Sequence, residues 1–165
     1  ASFGIWKSKG DERLYLELNA IIECVAPPAL HVDRFLPPTP VRVVVDSARE
    51  DATGDHDLAS ASLRDGDISR VLNRVAVKTA LVPAMLDTAM DIATHTMDGL
   101  VASASKAMNA QLQHEIDRLE DLHQINSDVD LEEISAMREH KSALQDTIAS
   151  ARLRVDALRL ILRTP

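Results

Sequence analysis

From Leu14 the chain alternates. Leu14, Leu16, Leu18, Ala20, Ile22 and Cys24 fall on one face, and Tyr15, Glu17, Asn19 and Glu23 on the other. A period of two, interrupted only by Ile21, predicts a half-buried β-strand. A short apolar run at residues 2–7 precedes it, and Ser8-Lys9-Gly10-Asp11 between them has turn chemistry. Residues 2–25 are therefore read as a β-hairpin. Pro27-Pro28 ends its second strand. Pro37, Pro38 and Pro40 fix φ and remove three backbone donors, so residues 36–40 form a stiff extended connector. It leads into Val41, Val43, Val44 and Val45, a β-branched run that predicts a buried third strand ending at Asp46. No helical crossover separates the three strands, which favours antiparallel pairing.

The pattern changes at Ser47. Residues 47–66 are acidic and rich in small side chains, without a period, and are predicted to be a mobile acidic surface loop. Asp67 is placed to cap a helix through Ile68, Val71, Leu72 and Val75. Pro83 would cost about 3 kcal/mol inside a helix but little in a first turn, so the helix is expected to restart around residues 79–82. It then runs to about His123. Leu86, Met90, Ala93, Met97, Leu100, Ala104, Met108, Leu112, Ile116 and Leu119 recur on it at helical spacing. Asn126-Ser127-Asp128 reads as a turn, and Asp130 with Glu133 resembles a capping box. Leu131, Ile134, Met137, Leu144, Ile148 and Ala151 form a second stripe. Two such helices joined by a short loop predict an antiparallel helical hairpin, each stripe being core against the other. Residues 153–163 fit two patterns. Leu153, Ala157, Leu160 and Ile161 suit a helix, whereas Leu158, Leu160 and Leu162 alternating with Arg159 and Arg163 suit a strand.

Length and composition narrow the class. The 165 residues suffice for one domain with a core, and 2% aromatics leave that core to Leu, Val, Ile, Ala and Met. Because the first residue is Ala, a piece of a longer protein is expected. A net charge of −8 argues against direct nucleic-acid binding, which needs clustered Lys and Arg. Arg152, Arg154, Arg159 and Arg163 lie close in sequence and are read first as a solvated face, second as a partner contact. The lone Cys24 forms no internal disulfide, and no apolar run approaches a membrane span. A cytoplasmic module without a membrane segment is expected.

Catalytic and metal chemistry find little support. The five glycines are isolated and none opens a Gly-Lys-Ser/Thr phosphate cradle. Zinc sites of the cysteine type are excluded by cysteine count, and no His-Glu-x-x-His occurs. His95, His114, His123 and His140 sit singly on predicted helices, and Asp55-His56-Asp57 falls in the loop without fixed geometry. Glu17 and Glu23 share a strand face but stand roughly 20 Å apart. Asp87 and Asp91 are read as a solvated acidic face. No nucleophile elbow is present.

Three stretches carry a resemblance. Ile21-Ile22-Glu23-Cys24-Val25-Ala26-Pro27-Pro28 with residues 30–46, Leu119-Glu120-Asp121-Leu122 with Ile125-Asn126, and Arg154-Val155-Asp156-Ala157-Leu158-Arg159-Leu160-Ile161 resemble the C-terminal region of the RapA family of bacterial RNA polymerase-associated, SWI/SNF-type ATPases. The resemblance spans essentially the whole chain and is weakest between residues 47 and 110. It implies that residues 153–163 return to the sheet as a fourth strand. The expected fold is thus α+β: a small antiparallel sheet from residues 1–46 and 155–164, with helices at 67–152 inserted as a hairpin, in one accessory domain. It also implies a non-catalytic module of a protein that promotes polymerase recycling, its ATP- and Mg-dependent motor lying upstream of these residues. Core RNA polymerase and the ATPase domains of the same polypeptide are the implied partners, with no cofactor in this chain. Arg34, Phe35, Arg42, Arg154 and Arg159 are the candidate partner contacts, core packing being the simpler reading of Phe35. The competing expectation is a free-standing coiled-coil adaptor that dimerises through its helical arm.

Overall fold

A computed structural model describes all of residues 1–165. The strands are β1 (Ser2–Lys7), β2 (Arg13–Glu23), β3 (Thr39–Asp46), β4 (Leu63–Asp65) and β5 (Arg152–Thr164). The helices are α1 (His56–Ala59), α2 (Ser69–Leu72), α3 (Val82–Ile125) and α4 (Leu131–Ala149). The chain divides into two compact units. The sheet unit comprises Ala1–Ile21, Pro40–Thr96 and Leu153–Pro165, and the hairpin unit comprises Ile22–Thr39 and Met97–Arg152. The architecture is α+β with a sheet and a long helical hairpin, as the pattern predicts.

The sheet has five strands in the order β3-β2-β5-β1-β4 and is mixed rather than antiparallel. β1 runs parallel to β5, with Ser2 opposite Arg159 and Lys7 opposite Thr164, and antiparallel to β4. On β2 and β3 the ion pairs cross in reverse order, Arg13 with Asp46 and Glu17 with Arg42, so those strands run antiparallel. The expected hairpin of β1 and β2 is corrected here, because β5 lies between them. The alternation along β2 identifies a strand but says nothing about which neighbour it takes. β2 is central, and Leu14, Tyr15, Leu16, Glu17 and Leu18 are all buried, so both its faces are covered. Trp6, Tyr15, Val44, Leu58 and Ile161 form one apolar cluster, over which Ala52, Ala61 and Leu63 pack.

The stretch from Ser47 to Gly66, expected as an irregular loop, is built into this unit. Asp46 is its hub. Its carboxylate accepts from the Ala48 and Glu50 amides at 2.9 and 3.0 Å and from Arg13 at 3.0 Å, so a carboxylate only 3% exposed is fully satisfied. Asp55 caps α1 by accepting from the amides of Asp57 and Leu58. β4 then pairs with β1, and Gly66 is needed beyond it, since a Cβ there would lie 2.6 Å from the Phe3 ring. The physical reason for the correction is that Asp and Thr side chains, not apolar periodicity, hold this segment by bonding backbone.

The Asp67 carboxylate accepts from the Ser69 amide at 2.9 Å just ahead of α2, but the cap position itself is Ile68, which has no side-chain cap, and α2 is one short turn that stops before Val75. At Pro83 the chain is helical on both sides. A π-helical turn, Val77–Leu81, directly precedes α3. Proline in a regular helix clashes with the carbonyl four residues back, here that of Thr79, and a widened turn shifts that carbonyl aside. Helix therefore passes the proline instead of starting at it.

In the hairpin unit Ala104, Met108, Leu112, Ile116 and Leu119 of α3 are buried, as the stripe predicts. Ile134, Leu144 and Ile148 of α4 are buried too. Nearer the start of α3 the buried positions are Met85, Ala89 and Ala93, one residue off the predicted Leu86 and Met90. A straight helix drifts against a constant spacing of three and four, which accounts for the slip. Leu131 is the other departure, 62% exposed in the first turn of α4. Asp130 caps that helix by accepting from the Glu132 amide at 2.8 Å. At the closed end the His123 ring Nδ1 lies 2.8 Å from the Val129 carbonyl, and Glu120 pairs with Arg138 across the helices.

Candidate partner-contact surface

In the hairpin unit the proline-rich stretch is the second thing the helices pack against. Two 3-10 turns, Pro28–Leu30 and Val32–Arg34, meet at His31, whose φ of 50° lets the chain reverse between them. They lay Val32 and Leu36 into a cluster with Met108, Leu112, Leu144 and Ile148. Phe35, half-buried, packs on the same cluster. Arg34 points outward with its guanidinium 5.5 Å from the Phe35 ring centroid. Cys24 packs there as well, and burial, with the Asp33 carboxylate adding to it, pushes its thiol pKa up.

In the sheet unit the remaining candidates fall on neighbouring strands. Glu17 on β2 accepts from Arg42 on β3 at 2.8 Å, and Arg159 on β5 lies 3.9 Å from its other oxygen. Arg159 also reaches the Ser2 hydroxyl at 3.2 Å. One buried carboxylate thus holds two arginines in place across three strands. Arg154 is exposed and lies 3.5 Å from Asp156, two residues along β5. The basic cluster expected near the end of the chain is dispersed. Arg152 pairs with Glu23 at 2.9 Å, and Arg163 donates to the Asp11 carbonyl and stacks 5.9 Å from the Trp6 and Tyr15 ring centroids.

The structure accordingly sorts the five candidates. Arg42 and Arg159 are tied to Glu17, Phe35 is tied to the apolar cluster, and Arg34 and Arg154 face solvent. Glu17 is the residue that sequence reasoning treated only as a carboxylate to be tested for catalysis. An acid set between two leucines, Leu16 and Leu18, in the middle of the alternating stretch was the available signal.

Elsewhere the sheet unit holds a cleft of about 440 Å³ with Phe3, Ile5, Val77 and Leu162 in its lining and Arg70 and Arg74 beside them. The histidine, cysteine and acidic side chains form no group of three suited to a metal ion, and Asp55 is occupied as the cap of α1. No helix is long and apolar enough to cross a membrane.

Comparison with known proteins places this geometry. The family model described as "RNA polymerase recycling family C-terminal" matches residues 1–163. The RNA polymerase-associated protein RapA of Klebsiella pneumoniae is 31% identical over 153 residues, and that of Pectobacterium carotovorum 29%. Each alignment covers 92% of this chain and 16% of the relative, so the chain spans about a sixth of the length of the curated relatives it matches. The strand, the proline stretch and the hairpin described above all lie inside the matched region, and the chain belongs to the RNA polymerase recycling family, as its C-terminal domain.

Proposed function

We propose that the chain is the non-catalytic docking module of a RapA-like, ATP-dependent protein that associates with RNA polymerase in the bacterial cytoplasm and promotes its recycling in transcription. The observation that carries the reading is the end-to-end family match over residues 1–163. The motor, with its ATP and Mg, then lies in the part of the protein outside these residues. The module meets core polymerase, the ATPase domains of its own polypeptide, or both. Arg34 and Arg154 are its outward-facing candidate contacts. Arg42, Arg159 and Phe35 act by holding the surface in shape.

The experiment is binding of this 165-residue chain to purified core RNA polymerase at low and moderate salt. Saturable binding that weakens with salt and falls about fivefold in Arg34→Ala or Arg154→Ala is expected for contacts on a solvated rim. No binding by the chain, while the intact parent still binds, would leave bracing of the motor as its role. Failure of the intact parent to bind would overturn the polymerase reading altogether.

A further inference from the structure

Three of the six large apolar side chains that the protein leaves exposed sit within ten residues at the closed end of the hairpin. Leu122 and Ile125, 41% and 86% exposed, lie one helical turn apart at the end of α3. Leu131, in the first turn of α4, is the third. The core at this end is Ile116, Leu119 and Ile134, so packing accounts for none of the three. This end is also acidic. Residues 117–135 hold seven Asp and Glu and one Arg, a net of −6, and Asp121, Asp128, Glu132 and Glu133 are exposed. The sheet unit carries the opposite composition in one place. From Ile68 to Leu86 there is no acidic residue, and Arg70, Arg74 and Lys78, all exposed, recur at every fourth position. Arg70 and Arg74 line one cleft. The Asp67 carboxylate lies near Arg70 and offsets part of its charge, which leaves Arg74 and Lys78 in excess. Val75 between those two is 73% exposed, a fourth member of the same six.

We propose that the hairpin end of one copy docks on the 68–78 segment of a second copy. Charge selects this occupant: an acidic, apolar end finds in the same sequence a basic surface that also exposes a valine. Docking takes Ile125, Leu131 and Val75 out of water. It also sets the carboxylates of the hairpin end against Arg74 and Lys78, which orients the encounter. The contact joins unlike surfaces, and each copy brings one of each. Two copies that exchange hairpin ends satisfy both surfaces and leave neither open. A few apolar side chains make a small contact, so the association belongs at the weak end of the range for protein pairs.

The test is sedimentation equilibrium of the chain alone, up to millimolar concentration, at low and moderate salt. A mass that rises from one chain towards two, and falls back with salt, is expected. Two variants break opposite sides of the contact. Ile125→Lys alters the hairpin end, and Arg74→Glu with Lys78→Glu alters the basic segment, all three positions being exposed. Each variant alone is expected to associate about tenfold or more weakly. An equal mixture of the two is expected to recover association, because each supplies the surface that the other lacks. That recovery also shows that neither variant acted by misfolding. A chain that stays monomeric at low salt overturns the proposal, and so does self-association that both variants leave unchanged. A mixture no stronger than its components overturns it too, since one surface would then be meeting itself. If the chain is monomeric and Ile125→Lys instead weakens binding of the intact parent to core polymerase, the hairpin end belongs to polymerase and the proposal falls.

Discussion

In the sheet unit, residues that touch come from the whole length of the chain: Trp6 and Tyr15 share a cluster with Val44, Leu58 and Ile161. In the hairpin unit α3 packs on α4 across one short loop, and only the segment 22–39 arrives from far away. Charge divides as sharply. The sheet unit carries twelve Lys and Arg against thirteen Asp and Glu, a net of −1. The hairpin unit carries six against thirteen, a net of −7, nearly all of the chain's −8. A sheet places unlike charges on adjacent strands and neutralises them there, as Glu17 does with Arg42 and Arg159. The helix pair meets its third neighbour, the segment 22–39, through apolar side chains, which leave its acidic faces to solvent. The acidity that argued against nucleic-acid binding by the chain as a whole therefore belongs to the hairpin.

The largest expected effect tests the dependence of the sheet unit on its last strand. Ile161, 1% exposed, packs in the shared cluster, and Ile161→Ala should destabilise the protein by about 2–5 kcal/mol. Urea unfolding followed by Trp6 fluorescence reads it directly, because that ring sits in the same cluster. A loss below about 1 kcal/mol would mean that β5 is not holding that core.

Next comes the polar centre of the sheet. Glu17→Gln keeps the shape but removes the charge between Arg42 and Arg159, and should cost about 1–3 kcal/mol. The comparison sharpens if Glu120→Gln, in the exposed pair with Arg138 on the hairpin, costs under about 1 kcal/mol in the same assay. Equal costs would erase the distinction between a neutralised sheet and a solvated hairpin.

Asp130→Ala removes the cap of α4 and should cost about 1 kcal/mol, read as faster amide hydrogen exchange at Glu132 and Glu133. The smallest effect is chemical. Folding favours the neutral thiol of Cys24, so its alkylation at neutral pH should lag behind that of a free cysteine and accelerate only at higher pH. The sign for stability follows: with the folded pKa raised, this contribution is fully present below the unfolded value and is lost as pH rises through the folded one. Asp33→Asn should bring the alkylation profile partway back towards that of a free cysteine.

What could be read from the residues depended on how local the cause was. The stripe of α3 from Ala104 onwards, that of α4 beyond its first turn, the Asp130 cap and the strand alternation of β2 are all set by neighbours a few residues away, and each stands where the pattern puts it. Pro83 was recognised as a boundary, but the π-helical turn that lets helix continue past it has no signature of its own. β4 is three residues of Leu-Arg-Asp, too short for a period to register, and it exists because β1 offers it an edge. The place of β5 between β2 and β1 was hidden for the same reason, as a strand's own sequence does not name its neighbours. Among the candidate contacts, Arg42 and Arg159 looked free because their shared partner lies far from both in the chain. Arg34 stayed exposed, as the last residue of a short surface 3-10 turn.

The central position of β5 has a consequence for how this protein is made. The ribosome completes β1, β2, β3 and β4 long before it reaches Arg152, yet the strand that joins β2 to β1 is the last to emerge. Until then β1 with β4 and β2 with β3 are separate pieces with open edges, a state prone to wrong pairing. The hairpin helices are made before β5 and need only each other and the segment 22–39, which is already available. During synthesis the acidic hairpin should thus fold ahead of the sheet, a strongly charged and soluble body attached to an unfinished one. The like charges of that body should oppose association of nascent chains over the interval in which the sheet waits for its final strand.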